Sequence, residues 1–272
     1  MRGSLGRPVI IENVPGANGS VGVGRVVRAA PDGYTLSIGS MSSHVFNGAV
    51  YRLSYDLIKD LEPISPLVGE PTVIVGRKGV PADDLGHLIS WLRANPGKAS
   101  AAIQGFGNTG HLAGILFQKL TNTSFEFVPY RGSAPAILDL VAGQVDICFD
   151  GQSSSLERLR ARTIKAYAIA DKSRSPAAPD IPTADEAGLP GYHLSNWRGL
   201  WAPRGTPRTV IAKLNSAVAD ALAEPTVRAR LIDLGQEIFP REQHTPEALR
   251  VLQKAEIEKW WPIIKAAGIK AE

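Results

Sequence analysis

Ala99-Ser-Ala-Ala-Ile-Gln-Gly-Phe-Gly-Asn-Thr-Gly-His-Leu-Ala-Gly-Ile-Leu116 carries three structural signals in a row. A short apolar run over Ala99–Ile103 reads as a buried strand. A glycine-rich turn fills Gln104–His111. Leu112, Ile115, Leu116 and Leu120 then recur at helical spacing. Strand, glycine turn and amphipathic helix make one βα unit. In such a unit the turn lies at the carboxyl end of the strand, where α/β sheets bind ligands. Gly105, Gly107 and Gly110 let the backbone come close to a ligand. The first amides of the helix lack internal partners, and the helix dipole adds positive potential there. Asn108 or Thr109 is placed to cap the helix, and a hydroxyl there can also donate to an anion. Two readings stand at this point: an anion cradle, or an ordinary βα turn with its cap. His111 has no carboxylate or second histidine beside it in sequence, so a positioning or hydrogen-bonded ring fits it better than a metal ligand or a base.

The same alternation runs outward in both directions. Apolar, β-branched runs fall at Val9–Glu12, Tyr34–Ile38, Thr72–Val75, Phe125–Val128, Val145–Phe149, Lys165–Ala170 and Leu200–Ala202. Between them Leu85, Leu88, Ile89 and Leu92 form one helical stripe, and Val210, Ile211, Leu214, Val218 and Leu222 another. Thr206-Pro207 and Thr245-Pro246 read as N-cap followed by first helical residue. Gly235 sits where a helix C-cap belongs. Alternating βα units imply an α/β fold with a mostly parallel sheet covered on both faces. Gly76–Pro81 and Pro190–Trp197 are the candidate crossings between two lobes.

Other loops carry weaker signals. Pro15-Gly-Ala-Asn-Gly-Ser-Val-Gly22 superficially suggests a dinucleotide fingerprint, but its glycines are three apart and no acidic ribose binder follows. Gly39-Ser-Met-Ser-Ser-His44 is rich in hydroxyls yet lacks the closing glycine of a nucleophile elbow. It reads as a polar, ligand-facing loop. Asp150-Gly-Gln-Ser-Ser154 follows a strand and offers Asp150 or Gln152 to a ligand. Neither zinc-ligand spacing nor a pair of glycosidase-type carboxylates is visible, and no base–nucleophile pair stands out.

Composition bounds the rest. The 272 residues, 44% hydrophobic, suffice for one large domain or two modest lobes. The net charge of +4 is mild. Its densest cluster, Arg158, Arg160, Arg162 and Lys165, has no interleaved aromatics and reads as a solvated helix end, not a nucleic-acid patch. The single cysteine, Cys148, falls in an apolar run and reads as a buried strand residue. No apolar run reaches membrane-spanning length, and Met1–Arg7 has a basic start without an apolar core of a signal peptide.

The motifs taken together resemble one family. Val9-Ile-Ile-Glu-Asn-Val-Pro-Gly-Ala-Asn-Gly19 and Ala30-Pro-Asp-Gly-Tyr-Thr-Leu36 are similar to segments of the tripartite tricarboxylate transporter solute receptors, also called Bug receptors. So are Gly107-Asn-Thr-Gly-His-Leu-Ala-Gly114, Val128-Pro-Tyr-Arg-Gly-Ser-Ala-Pro135, Ala142-Gly-Gln-Val-Asp146, Asp180-Ile-Pro-Thr-Ala-Asp-Glu-Ala-Gly188, Trp201-Ala-Pro-Arg-Gly-Thr-Pro207 and Ala266-Ala-Gly-Ile269. The resemblance implies a type II periplasmic binding protein: two α/β lobes, with lobe 1 over 1–77 and 194–272 and lobe 2 over 78–193, and a ligand cleft between them. It implies a non-catalytic monomer, with no metal or cofactor, that carries a mono-, di- or tricarboxylate to membrane transporter subunits. By the same match the ligand residues are Gly105, Gly107, Asn108, Thr109, Gly110 and His111, with Ser40, Ser42 and Asn47 from the first lobe. Asp150 matches a position that tunes ligand choice, and Trp197 would wall the cleft. Family members begin with a signal peptide, a first strand and a first helix. The expectation is therefore that this chain lacks those elements, and that the complete protein is periplasmic. The rival readings are an α/β hydrolytic enzyme using His111 or His44 with a serine, and a cytoplasmic sensor module of the same fold.

Overall fold

The computed structural model describes residues 1–270. In chain order the elements are α1 (Arg2–Leu5), α2 (Ser20–Val27), β1 (Ser37–Ser40), α3 (Asn47–Val50), β2 (Leu61–Arg77), α4 (Leu85–Ala94), β3 (Ser100–Ile103), α5 (Thr109–Thr121) and β4 (Glu126–Pro129). They continue with α6 (Ser133–Ala142), β5 (Ile147–Gly151), α7 (Gln152–Arg160), β6 (Ile164–Ile169), β7 (Ser195–Pro203), α8 (Arg208–Ala223), α9 (Pro225–Asp233), β8 (Glu237–Ile238) and α10 (Pro246–Ala266). The chain forms two compact units. One holds Met1–Gly69, Trp197–Leu231 and the stretch from Glu237 onward; the other holds Glu70–Asn196 and Ile232–Gln236. The chain thus passes from one unit to the other within β2 and again within β7.

In the unit that starts at Glu70, β5 and β6 both pair antiparallel with the second half of β2. Beyond β5 lies β3, parallel to it, and then β4, parallel to β3. The expectation of a mostly parallel sheet is corrected here. The sheet is mixed: β3, β4, β5 and β6, reached in turn through α5, α6 and α7, run in one direction, and β2, paired on one side with β5 and on the other with β6, runs against them. The core of this unit is Val73, Val75, Ala102, Ile137, Leu140 and Ile169, with Cys148 buried among them as the sequence indicated.

In the other unit β1 pairs antiparallel with β7, β7 lies beside β2, and β8 pairs antiparallel with β2 at Val68 and Gly69. Ile64, Leu200 and Ala202 meet Leu214, Val218 and Leu222 of α8. Met1, just before α1, and Leu5 within it pack on that cluster, and Ser4 donates to Asp220 at 3.1 Å.

Two local expectations fail for physical reasons. Val9–Glu12 forms no strand: none of the described strands pairs with it, and Ile10 is 80% exposed. An apolar run becomes a strand only where a neighbour takes its backbone hydrogen bonds. Helix α8 begins one residue later than expected, because the Thr206 hydroxyl turns back to the Pro203 carbonyl at 2.8 Å. The second start signal is as read: Thr245 accepts from the Ala248 amide at 3.0 Å, with Pro246 first in α10. Arg158 and Arg160 lie in the last turn of α7, where the solvated helix end was placed. No helix among the described residues is long and apolar enough to cross a membrane.

Candidate functional site

Three helices of the Glu70–Asn196 unit start at the same edge of its sheet. α5, α6 and α7 follow the carboxyl ends of β3, β4 and β5, which run parallel. That edge is where open α/β sheets place ligands.

The first of these starts is the loop over residues 104–108. Gly105 and Gly107 hold φ of 112° and 75°, which favours glycine. Asn108 is the N-cap: its Oδ1 accepts from the His111 amide at 2.9 Å, and its Nδ2 donates to Gln104 Oε1 at 3.1 Å. Asn108 is thereby committed to holding the loop. The Gly107 amide donates to His111 Nδ1 at 3.0 Å. That bond requires an unprotonated Nδ1, so His111 is neutral here. Burial agrees, pulling its pKa down to about 4. The ring stands edge-on to Phe106 and Phe127. The His111 ring is thus hydrogen-bonded within its own loop. Gly110 is needed for packing: a Cβ there would lie 2.4 Å from both Gln104 Oε1 and the Phe149 carbonyl. Thr109, half-buried, opens α5.

Asp150 joins the three starts. It is 4% exposed at the end of β5. Ser133, at the start of α6, donates to its Oδ1 at 2.7 Å, and Gln104 Nε2 donates to the same oxygen at 3.2 Å. Ser155 of α7 donates to Oδ2 at 3.4 Å. Burial pushes the carboxyl up to about 6, opposed first by the Ser133 hydroxyl and by the Gly151 amide. The nearby Glu70 carboxylate raises it further. Glu70 itself, 2% exposed, serves α7: its Oε1 accepts from the Ser153 amide at 3.2 Å and from the Ser153 hydroxyl. An acid there also suits the positive end of the helix. A Cβ on Gly151 would come within 2.7 Å of Glu70 Oε1, so this contact needs the glycine.

The residues expected from the first lobe lie in the other unit. Ser42 opens a wide π-helical turn over Ser42–Phe46, directly after β1. Ser40, half-buried at the end of β1, gives its amide to Ser43 Oγ at 3.1 Å. Asn47 is fully buried, and its amide staples the glycine loop before α2. Its Nδ2 donates to the Asn18 carbonyl at 3.0 Å and to Ser20 Oγ at 2.8 Å, while its Oδ1 accepts from Asn18 Nδ2 at 3.0 Å. Ala17 and Asn18 there hold φ of 44° and 51°, conformations that Asn47 helps to fix. Trp197 is buried in β7, its ring 6.0 Å from that of Trp201.

His44 offers no support for hydrolysis. Its ring is fully buried and stacked on Trp201 at 3.8 Å, and burial lowers its pKa to about 3. Ser37 and Ser43 hydroxyls meet its two nitrogens at 3.3 and 3.0 Å. A Cβ on Gly39 would collide with the ring at 2.0 Å. This is a core imidazole. Among the described residues no group of three His, Cys, Asp or Glu is placed to hold a metal.

The reading of the sequence missed Ser133, Ser155 and Glu70, and gave Gln104 no role. Ser133 was within reach: it starts the helix after the strand Phe125–Val128, and every loop at that sheet edge merits the same scrutiny. Glu70 carried no signal, because its partner Ser153 lies 83 residues away.

Comparison with known proteins bears on this geometry. A family model, the tripartite tricarboxylate transporter family receptor, matches residues 1–269. The solved structure of MatC from Rhodopseudomonas palustris, with bound malate, is 39% identical; the match has TM-score 0.90 and covers 97% of this chain and 90% of that one. R. palustris Rpa4515, with adipate, is 32% identical at TM-score 0.92, covering 99% and 90%. The periplasmic binding protein BugD is 33% identical at TM-score 0.92, also covering 99% and 90%. The sequence motifs, the mixed α/β fold and these likenesses agree, and the chain belongs to the tripartite tricarboxylate transporter receptor family.

Proposed function

We propose that this protein is an extracytoplasmic receptor that binds one small organic carboxylate per chain, without turning it over, and presents it to membrane transporter subunits. The observation that carries the reading is the loop over residues 104–108 with the start of α5. It joins two left-handed glycines, a capped helix N-terminus and the Thr109 hydroxyl at the carboxyl ends of the parallel strands β3, β4 and β5, the edge where α/β sheets bind ligands. Those are the parts an anion site uses. The reading is supported by two family members whose structures hold carboxylates, malate in MatC and adipate in Rpa4515.

The residues divide into two groups. Asn108, Gly110, His111, Asn47 and Asp150 hold the loops in shape, through the hydrogen bonds and close approaches described above. The backbone amides that open α5, with Thr109, are the groups offered to the ligand. Ser40 and Ser42 are assigned the same role in their own unit. A periplasmic location and a monomeric state belong to the same proposal.

A thermal-shift screen tests it. The panel is malate, succinate, citrate, adipate and propionate, with ATP as a non-carboxylate control. At a hundredfold excess over its dissociation constant, a true ligand adds about 2.7 kcal/mol of stability. At least one acid should raise the melting temperature. A shift with ATP and none with any acid would refute the proposal.

A further inference from the structure

Among the described residues one buried side-chain amide has neither a hydrogen-bond partner nor a role in the arrangement above. Gln152 is the first residue of α7, immediately after Asp150 and Gly151 at the end of β5. It is fully buried. Neither its Oε1 nor its Nε2 has a hydrogen-bond partner among the described residues. A primary amide buried this way is destabilising, and such groups in folded proteins call for an explanation.

Its surroundings are fitted to it. A Cβ on residue 235 would come within 3.0 Å of the Gln152 Cδ and 3.1 Å of its Nε2. Gly235, at φ 73°, gives the amide that space. The neighbouring acids already have their work: Asp150 ties α5, α6 and α7 together, and Glu70 caps α7. Neither donates to or accepts from the Gln152 amide, so the amide adds nothing to that network. What it holds is an uncharged pair, two N–H groups and one carbonyl, on the first residue of α7, one of the three helices that start at that sheet edge.

We infer that Gln152 is a specificity residue that reads a hydroxyl group on the carboxylate ligand. The inference rests on the receptor reading above and goes beyond it by naming the substrate class, hydroxy acids. The chemistry selects the class. A hydroxyl both donates and accepts, matching an amide's two faces. A second carboxylate would meet Asp150 and Glu70, two buried acids close enough to interact with each other, and like charges in a buried site repel. A neutral group that donates and accepts avoids that repulsion.

The test uses the full chain and three pairs of acids that differ by one hydroxyl: malate and succinate, lactate and propionate, citrate and tricarballylate. Calorimetry should show the wild type preferring the hydroxylated member of the pair it binds by about tenfold or more, the order expected of one buried hydrogen bond. Gln152→Met, similar in length and apolar, should bind both members of that pair alike, with the hydroxy acid losing tenfold and its analogue unchanged. Because the amide is unsatisfied in the free protein, the variant without ligand should melt no lower than wild type. A variant that keeps the wild-type preference overturns the inference. So does a free variant that melts several degrees lower, since the amide would then be structural. A wild type that binds acids without regard to the hydroxyl ends the inference but leaves the receptor reading in place. A wild type that binds none of the six acids ends the inference, and ends the receptor reading as well if adipate also fails to bind.

Discussion

Asn108 and Thr109 are neighbours with separable duties. Asn108 caps α5 and anchors Gln104, so Asn108→Ala should cost about 0.5–2 kcal/mol from the cap alone. For a chain of this size that is a drop of several degrees in the melting temperature. Thr109→Ala leaves the cap on Asn108 intact. It should change the melt by less than Asn108→Ala, yet weaken carboxylate binding by about tenfold or more, since hydrogen bonds to charged groups are worth about 1.5–3 kcal/mol. Paired melts and titrations of the two variants check this, and an unchanged affinity in Thr109→Ala would move the anion contact elsewhere. At this scale the sequence was legible in part. Gly105 and Gly107 do adopt the conformations that a glycine-rich turn suggests. Gly110 is a glycine for another reason, the approach of α5 to the Phe149 carbonyl. Spacing cannot distinguish a glycine that bends a loop from one that admits a neighbouring strand. Asn47 shows the same limit. A buried asparagine that fastens Asn18 and Ser20 looks, in sequence, like a polar residue turned toward a ligand.

Asp150 belongs to the scale of elements, since it is the point at which α5, α6 and α7 are fastened. Its carboxyl sits at about 6 in the folded chain against an ordinary 3.8. The folded state therefore holds this proton more tightly than the unfolded state does. The stability it contributes is present below about pH 3.8 and is lost as pH rises through about 6. The difference of about two pKa units corresponds to roughly 3 kcal/mol. Asp150→Asn removes this dependence, whatever constant offset its altered hydrogen bonds introduce. The stability of the variant relative to wild type should then rise by about that amount between pH 4 and pH 7.5. His44 and His111, whose lowered values make the folded chain lose stability as pH falls below about 6.5, act equally on both proteins and cancel in the difference. Urea melts at the two pH values measure it, and a difference that stays flat with pH would contradict the assignment. The elements themselves were mostly legible where βα units follow one another. β3, α5, β4 and β5 fall within a few residues of their expected places. The exceptions lie where pairing decides. Thr72–Val75 read as a short strand, but β2 runs from Leu61 to Arg77 because it finds partners along its length: β8 near Val68, and β5 and β6 beyond Thr72. Val9–Glu12 has the composition of a strand and no partner strand among the described residues.

For the whole molecule, the chain composes two units, each with its own core and its own set of polar loop residues. Motifs spread from Val9 to Ile269 carried the family resemblance, and the family model spans 1–269. That breadth made the family legible where single loops were ambiguous. Ligand identity was not legible. It depends on a few buried polar atoms, Gln152 above all, whose environment comes from residues as distant as Gly235. The measurement that tests the receptor reading most directly is calorimetric titration of the full chain with malate, succinate, citrate, adipate and propionate, followed by recovery of the acid. Saturable heat from at least one of them at one site per chain, with the acid recovered unaltered, is the predicted result. The absence of binding heat with all five, or an acid consumed during the titration, would contradict it.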